Sequence, residues 1–118
     1  MSSAATKQTI IRKPLLTALL EEIKPTRTVE IKQIDFAPGQ KSGIHNHPCP
    51  VVGYIEKGTV LFQVEGEEPR TLHAGDAFFE SPNKTILHFD NASSTEPVTF
   101  IAFYLLDSGE TELIHMLE

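Results

Sequence analysis

Apolar and polar residues alternate with a period of two along most of the chain. In TVEIKQIDF (28–36), Val29 and Ile31 stand between polar neighbours. The phase then shifts at Ile34, which predicts a strand carrying a bulge. VVGYIEKG (51–58) reads as a strand closed by Lys57-Gly58, and TVLFQVEG (59–66) puts Val60, Phe62 and Val64 on one face. RTLHAGD (70–76), AFFESPN (77–83) and ILHFDN (86–91) are further short strands running into turns. VTFIAFYLL (98–106) is apolar on both faces. It needs cover on both sides, from the N-terminal segment or from a second subunit, because an open edge of this kind invites aggregation. TELIHML (111–117) predicts a last strand or half-helix. Many short strands at near-even spacing, ended by Gly, Pro or Asn, predict an all-β sandwich or barrel.

The front of the chain differs. Residues 1–9 are small and polar and are expected to fray. IIRKPLLTALLEEI (10–23) fits a short helix with Pro14 in its first turn, or two extended pieces broken at the proline. The expected layout is an N-terminal arm, 1–28, and a barrel, 29–118, forming one domain. No internal repeat or linker interrupts it.

Composition narrows the function classes. At 118 residues, with 40% hydrophobic and 22% charged residues, the chain can bury a core without disulfides. The net charge of −6 and scattered Lys and Arg argue against a nucleic-acid partner. A single cysteine, Cys49, excludes an intrachain disulfide and fits a reducing compartment. The N-terminus lacks the apolar run of a signal peptide, and no stretch approaches a membrane span. The expectation is a soluble cytoplasmic protein.

The candidate chemistry lies in GIHNHPCP (43–50). On a strand, residues i and i+2 share a face. His45 and His47 therefore aim at one point, and neutral imidazole is a common ligand for divalent transition metals. Two histidines at this spacing are a weak signal alone, but His88 follows on a later strand.

With the glycines around them, these residues resemble the two motifs of the cupins. The first motif runs Gly, five residues, His-x-His, three or four residues, Glu, six residues, Gly. Gly39, His45, His47 and Gly58 match it. The second is approximated by Gly75-Asp76, the Pro82-Asn83 turn, His88 and Asn91. HNHPCP, YIEKG, GDAFFE and TEPV look like the corresponding stretches of small single-domain cupins of the quercetin-dioxygenase-like type. The resemblance spans about residues 29–106. It implies a double-stranded β-helix, or jelly-roll barrel, with a metal site in its mouth, and a homodimer.

Three departures stand out. The first-motif glutamate, usually a fourth ligand, falls on Val51. The second-motif glycine falls on Asn83, the non-glycine residue that best tolerates a left-handed backbone. His88 comes two residues later than the motif expects, an even offset that keeps strand parity and predicts an inward side chain.

The resemblance thus implies His45, His47 and His88 as ligands of Fe, Mn, Ni or Zn. Substitutes for the missing glutamate are Glu80, Gln63 and Cys49, although Cys49 also fits a small buried apolar position. Tyr54 and Phe62 are candidate pocket residues or plain core. His73 and His115 read as surface residues. A neutral three-histidine shell would leave a divalent ion at +2 and favour a carboxylate or enolate. The implied function is a mononuclear metal oxygenase acting on a small organic substrate. A non-catalytic metal or small-ligand sensor is one alternative. A metal-free isomerase or epimerase is another, for which Tyr54 and Tyr104 are the available acids.

Overall fold

The computed structural model describes residues 9–117, and among these the chain forms nine strands and no helix. They are β1 (Thr28–Phe36), β2 (His45–Asn46), β3 (Val51–Lys57), β4 (Thr59–Val64), β5 (Arg70–His73), β6 (Ala77–Glu80), β7 (Ile86–Asn91), β8 (Val98–Leu106) and β9 (His115–Met116). One sheet has the order β1-β8-β3-β6 and the other β5-β4-β7-β2-β9. Pairing is antiparallel throughout. The two sheets make a jelly roll, the form of barrel that the cupin resemblance implies.

The inner faces follow the alternation. Val60, Phe62 and Val64 of β4 are buried, as are Val98, Phe100, Ala102, Tyr104 and Leu106 of β8. Full burial of an aliphatic or aromatic side chain contributes roughly 1.5–3 kcal/mol. Phe62, Phe78, Phe89 and Phe100 form a chain of ring contacts inside the barrel, with centroids 4.6 to 6.4 Å apart.

β8 owes its two apolar faces to its place between β1 and β3. Its outward residues Ile101, Phe103 and Leu105 are half-buried. Leu15 and Leu16 of the arm line a surface hollow with Phe103 and Tyr54, so the N-terminal segment supplies part of the expected cover.

One expectation needs correction, and two left open are settled. β1 carries no bulge: its ladder with β8 runs unbroken from Thr28↔Leu106 to Phe36↔Val98. The phase shift at Ile34 is instead a change of face. Val29 and Ile31 point outward, at 49% and 62% exposure, while Ile34 and Phe36 pack against the core. Residues 10–23 form no helix. So short a segment is marginal as a helix unless an apolar face is buried, and Ile10, Ile11, Leu19 and Ile23 remain exposed. The non-helical alternative is the one realised, as irregular chain with a bend at residues 21–22. Residues 111–117 contain the two-residue β9 and no half-helix. The expected fraying of residues 1–9 falls almost wholly outside the described residues.

Candidate metal centre

β2 is short because Pro48 and Pro50 follow it and cannot donate to a ladder. It still directs its histidines inward: His45 and His47 are 3% and 5% exposed. Asn83 clamps the second of them, its N–H donating to the His47 carbonyl at 2.8 Å. Asn83 has φ 62°, the left-handed conformation expected where the motif has glycine.

The third group comes from β6. Phe78 and Glu80 share its inner face and are buried. Among the described residues, His45, His47 and Glu80 bring three ligand atoms within 4.8 Å of one another. Glu80 Oε2 lies 2.8 Å from His47 Nε2, and Oε1 lies 3.9 Å from His45 Nε2. β3 pairs with β6 so that Glu80 stands directly opposite Val51. The neighbouring strand thus brings a buried carboxylate beside the position where the first motif has its glutamate.

Backbone carbonyls orient both rings. His45 Nδ1 donates to the Gly43 carbonyl at 2.8 Å, and His47 Nδ1 to the Leu113 carbonyl at 2.6 Å. A carbonyl only accepts, so each Nδ1 carries the hydrogen. Each Nε2 is then free to meet a cation or a second proton. Burial pushes the Glu80 carboxyl up, but the two imidazoles outweigh it and hold the group below its usual range. Burial likewise pulls His45 down, and Glu80 with the Gly43 carbonyl raises it above the ordinary value. A proton and a metal ion compete here for the same atoms. The donor set fits a divalent first-row ion, since two imidazole nitrogens and a carboxylate oxygen are ligands such ions accept.

The cluster sits in a cavity of about 270 Å³. Ile34, Phe36, Phe78, Phe89 and Phe100 make its apolar walls, with Ile114 among the lining residues. Gln40, Lys41, Ser42 and Tyr104 also line it. The Tyr104 ring lies against His47 at 6.0 Å between centroids. Burial, then the Glu80 charge, push its phenol up to about 12.

His88 does not join this cluster. Between Gln63 and Val64 of β4 the β7 register skips a residue: Gln63 faces His88 and Val64 faces Ile86. Leu87 is the extra residue of a bulge. Ile86 and Phe89 therefore point inward, and the parity expected for His88 is lost. Its side chain is 40% exposed and its Nδ1 lies 2.7 Å from Asp90 Oδ2. Gln63, across the ladder from His88, donates to the Glu67 carbonyl.

The remaining candidates are placed as follows. Cys49 is fully buried, and burial pushes its thiol up to about 11, so it is a neutral thiol packed in the core. Phe62 belongs to the aromatic cluster. Tyr54 stands on the outer face at 38% exposure. His73 and His115 are on the surface as expected. Sequence reasoning missed Lys41 and Ile114. It also missed the Leu113 carbonyl, which no side-chain pattern could reveal. Alternation along β8 could have placed Tyr104 inside.

The cupin domain family model matches residues 33–104, more than half of the chain. The chain belongs to the cupin family. A cupin-domain-containing oxidoreductase of Neurospora crassa, srdB, is 34% identical over 77 residues, covering 65% of this chain and 38% of that protein. The cupin described here thus spans well under half the length of that curated relative. Oxalate oxidase in complex with the substrate analogue glycolate has a TM-score of 0.58 and 28% identity, over 75% of this chain and 46% of that one. A cupin-like protein of Thermotoga maritima has a TM-score of 0.64 at 22% identity, over 75% of this chain and 64% of that one, a likeness of fold. No helix among the described residues is long and apolar enough to cross a membrane.

Proposed function

We propose that this cupin is a mononuclear metal-dependent oxidoreductase of the oxygenase or oxidase kind, acting on a small organic substrate, with His45, His47 and Glu80 as ligands. The observation that carries the reading is the convergence of two oriented Nε2 atoms and one buried carboxylate on the floor of an apolar cavity. Two histidines and a carboxylate with open positions are the ligand pattern of non-haem iron oxygenases. Its likeness to a cupin oxidoreductase and to oxalate oxidase supports the same class.

A bound divalent ion would supply Lewis acidity and open positions for substrate and dioxygen. The chain's own residues do the rest. The Gly43 and Leu113 carbonyls hold the rings in the ligating tautomer. The phenylalanine walls keep water from the substrate's reacting end. Tyr104 keeps its proton at neutral pH and is a hydrogen-bond donor inside the cavity.

The epimerase alternative calls for a histidine–aspartate pair in the pocket. The pair present, His88–Asp90, does not line the cavity. No particular contact favours a sensor without turnover.

The test is elemental analysis of the purified protein beside a His45→Ala, His47→Ala double variant, followed by oxygen uptake with small hydroxy acids, catechols and diketones. Near-stoichiometric iron, manganese, nickel or zinc in the parent only, with uptake on one substrate, is expected. Equal, negligible metal in both would overturn the reading.

A further inference from the structure

The polar groups lining the cavity are one-sided. Glu80 is its one carboxylate among the described residues and already faces both histidines. Gln40 uses its carbonyl oxygen to accept from the Ala37 N–H at 2.8 Å, which leaves its amide N–H groups free. The Ser42 hydroxyl donates to the Gly43 carbonyl at 3.0 Å. Lys24, Lys32 and Lys84 have carboxylate partners, whereas Lys41 has none among the described residues. The Tyr104 hydroxyl makes no hydrogen bond to the described residues. What remains is one cation, one amide N–H pair and one phenol: donors.

A ligand that satisfies donors brings acceptors, and the exposed Lys41 ammonium and Gln40 amide, among the lining residues of an otherwise apolar cavity, favour one that brings negative charge. The walls set the rest. Phe36, Phe78, Phe89, Phe100 and Ile34 offer no polar atom to a ligand, so its remaining surface is apolar. The volume of about 270 Å³ equals about nine water-sized volumes. That admits a single-ring or short-chain molecule.

We propose that the cavity binds a small organic oxyanion, a carboxylate or enolate on an apolar body, with Lys41, Gln40 and Tyr104 receiving its oxygens. This deepens the metal-dependent reading, because a bound divalent ion would add its own attraction for the anion, but the donors belong to the chain itself.

The test is calorimetric titration of metal-stripped and metal-loaded protein with benzoate, benzamide and benzylammonium, which share a ring and differ in charge. Benzoate is expected to bind at least tenfold more tightly than benzamide, and benzylammonium not to bind. Tyr104→Phe is expected to weaken benzoate about tenfold, the loss of one hydrogen bond to a charged group. Lys41→Met is expected to weaken it threefold or more. Both variants should keep the parent's metal content and melting transition, and both should weaken benzamide by less than they weaken benzoate, since a neutral carbonyl gains less from a donor than a carboxylate does. Benzamide or benzylammonium binding as well as benzoate would overturn the proposal, and so would failure of all three to bind. A protein that holds no metal yet prefers benzoate would sink the metal reading and leave this one standing. A protein that holds metal without preferring benzoate would do the reverse.

Discussion

Replacing Glu80 by Gln removes one charge and keeps the shape. The side chain is 3% exposed, with its two oxygens 2.8 and 3.9 Å from the histidine Nε2 atoms. A unit charge pair about 4 Å apart is worth roughly 4 kcal/mol at an effective dielectric of about 20. A divalent ion would gain no less than this from the carboxylate. Glutamine retains an oxygen ligand, so part of the affinity persists. The expected loss is about 3 kcal/mol or more, at least 100-fold in Kd, read by competition with a chromophoric chelator. Because Val51 and Glu80 face each other across the β3–β6 ladder and both line the cavity, their roles should be exchangeable. Opposed residues have Cβ atoms about 5 Å apart, a gap within reach of a rotated glutamate side chain. A Val51→Glu, Glu80→Val double variant is therefore expected to recover at least tenfold of what Glu80→Gln loses. A Glu80→Gln protein that holds metal as tightly as the parent would refute the assignment of Glu80. A folded double variant that recovers nothing would refute the argument from register.

The metal-free protein should be most stable between about pH 4.5 and 6.5. Glu80 lies below its ordinary value of 4.5, so its contribution is present above that pH and is lost as pH falls through its folded value; His45 lies above 6.5, so its contribution is present below that pH and is lost as pH rises through its folded value. Urea midpoints at pH 3.5, 5.5 and 8 check this, and saturating zinc should move the optimum upward, since ligation needs neutral imidazole. Gly53→Ala should cost about 3 kcal/mol in urea unfolding, because its Cβ would come within 2.0 Å of the Ile101 carbonyl oxygen and 2.7 Å of the Phe78 ring. The radius of gyration is 17.0 Å, against about 13.5 Å for a compact domain of this length. The exposed Ile10, Ile11, Leu19 and Ile23 of the arm and the outward Val29 and Ile31 suit a second copy, so light scattering should find a dimer in the parent and a monomer after deletion of residues 1–23.

Strand positions were legible because one face of each sheet is buried, and burial imposes the period of two. The same rule failed where local geometry broke it. At Ile34 the apolar phase changes because β1 packs inward only at its C-terminal end, so apolar residues on the outer face looked like a bulge. At Leu87 a real bulge has no sequence mark, and it turned His88 outward. The arm misled in another way. Its leucines have helical spacing, but Leu15, Leu16 and Leu19 stay largely exposed, and propensity alone does not hold a helix. His45 and His47 were legible because their spacing, flanking glycines and prolines are local.

The third member of the proposed ligand set is not a local property. It belongs to a ladder that joins residue 51 to residue 80, and no spacing along the chain encodes that pairing. A strand position gives its side chain a direction, and the ladder gives it a neighbour whose side chain has the same direction. Either neighbour can therefore carry a carboxylate to the same point in the barrel. Val51 is for that reason compatible with a metal site, provided that its partner is acidic and buried. Glu80 meets both conditions, and the imidazoles keep it ionised there. A pattern that scores only the position after the second histidine would class such a chain as metal-free. The pair of ladder positions is the unit to inspect.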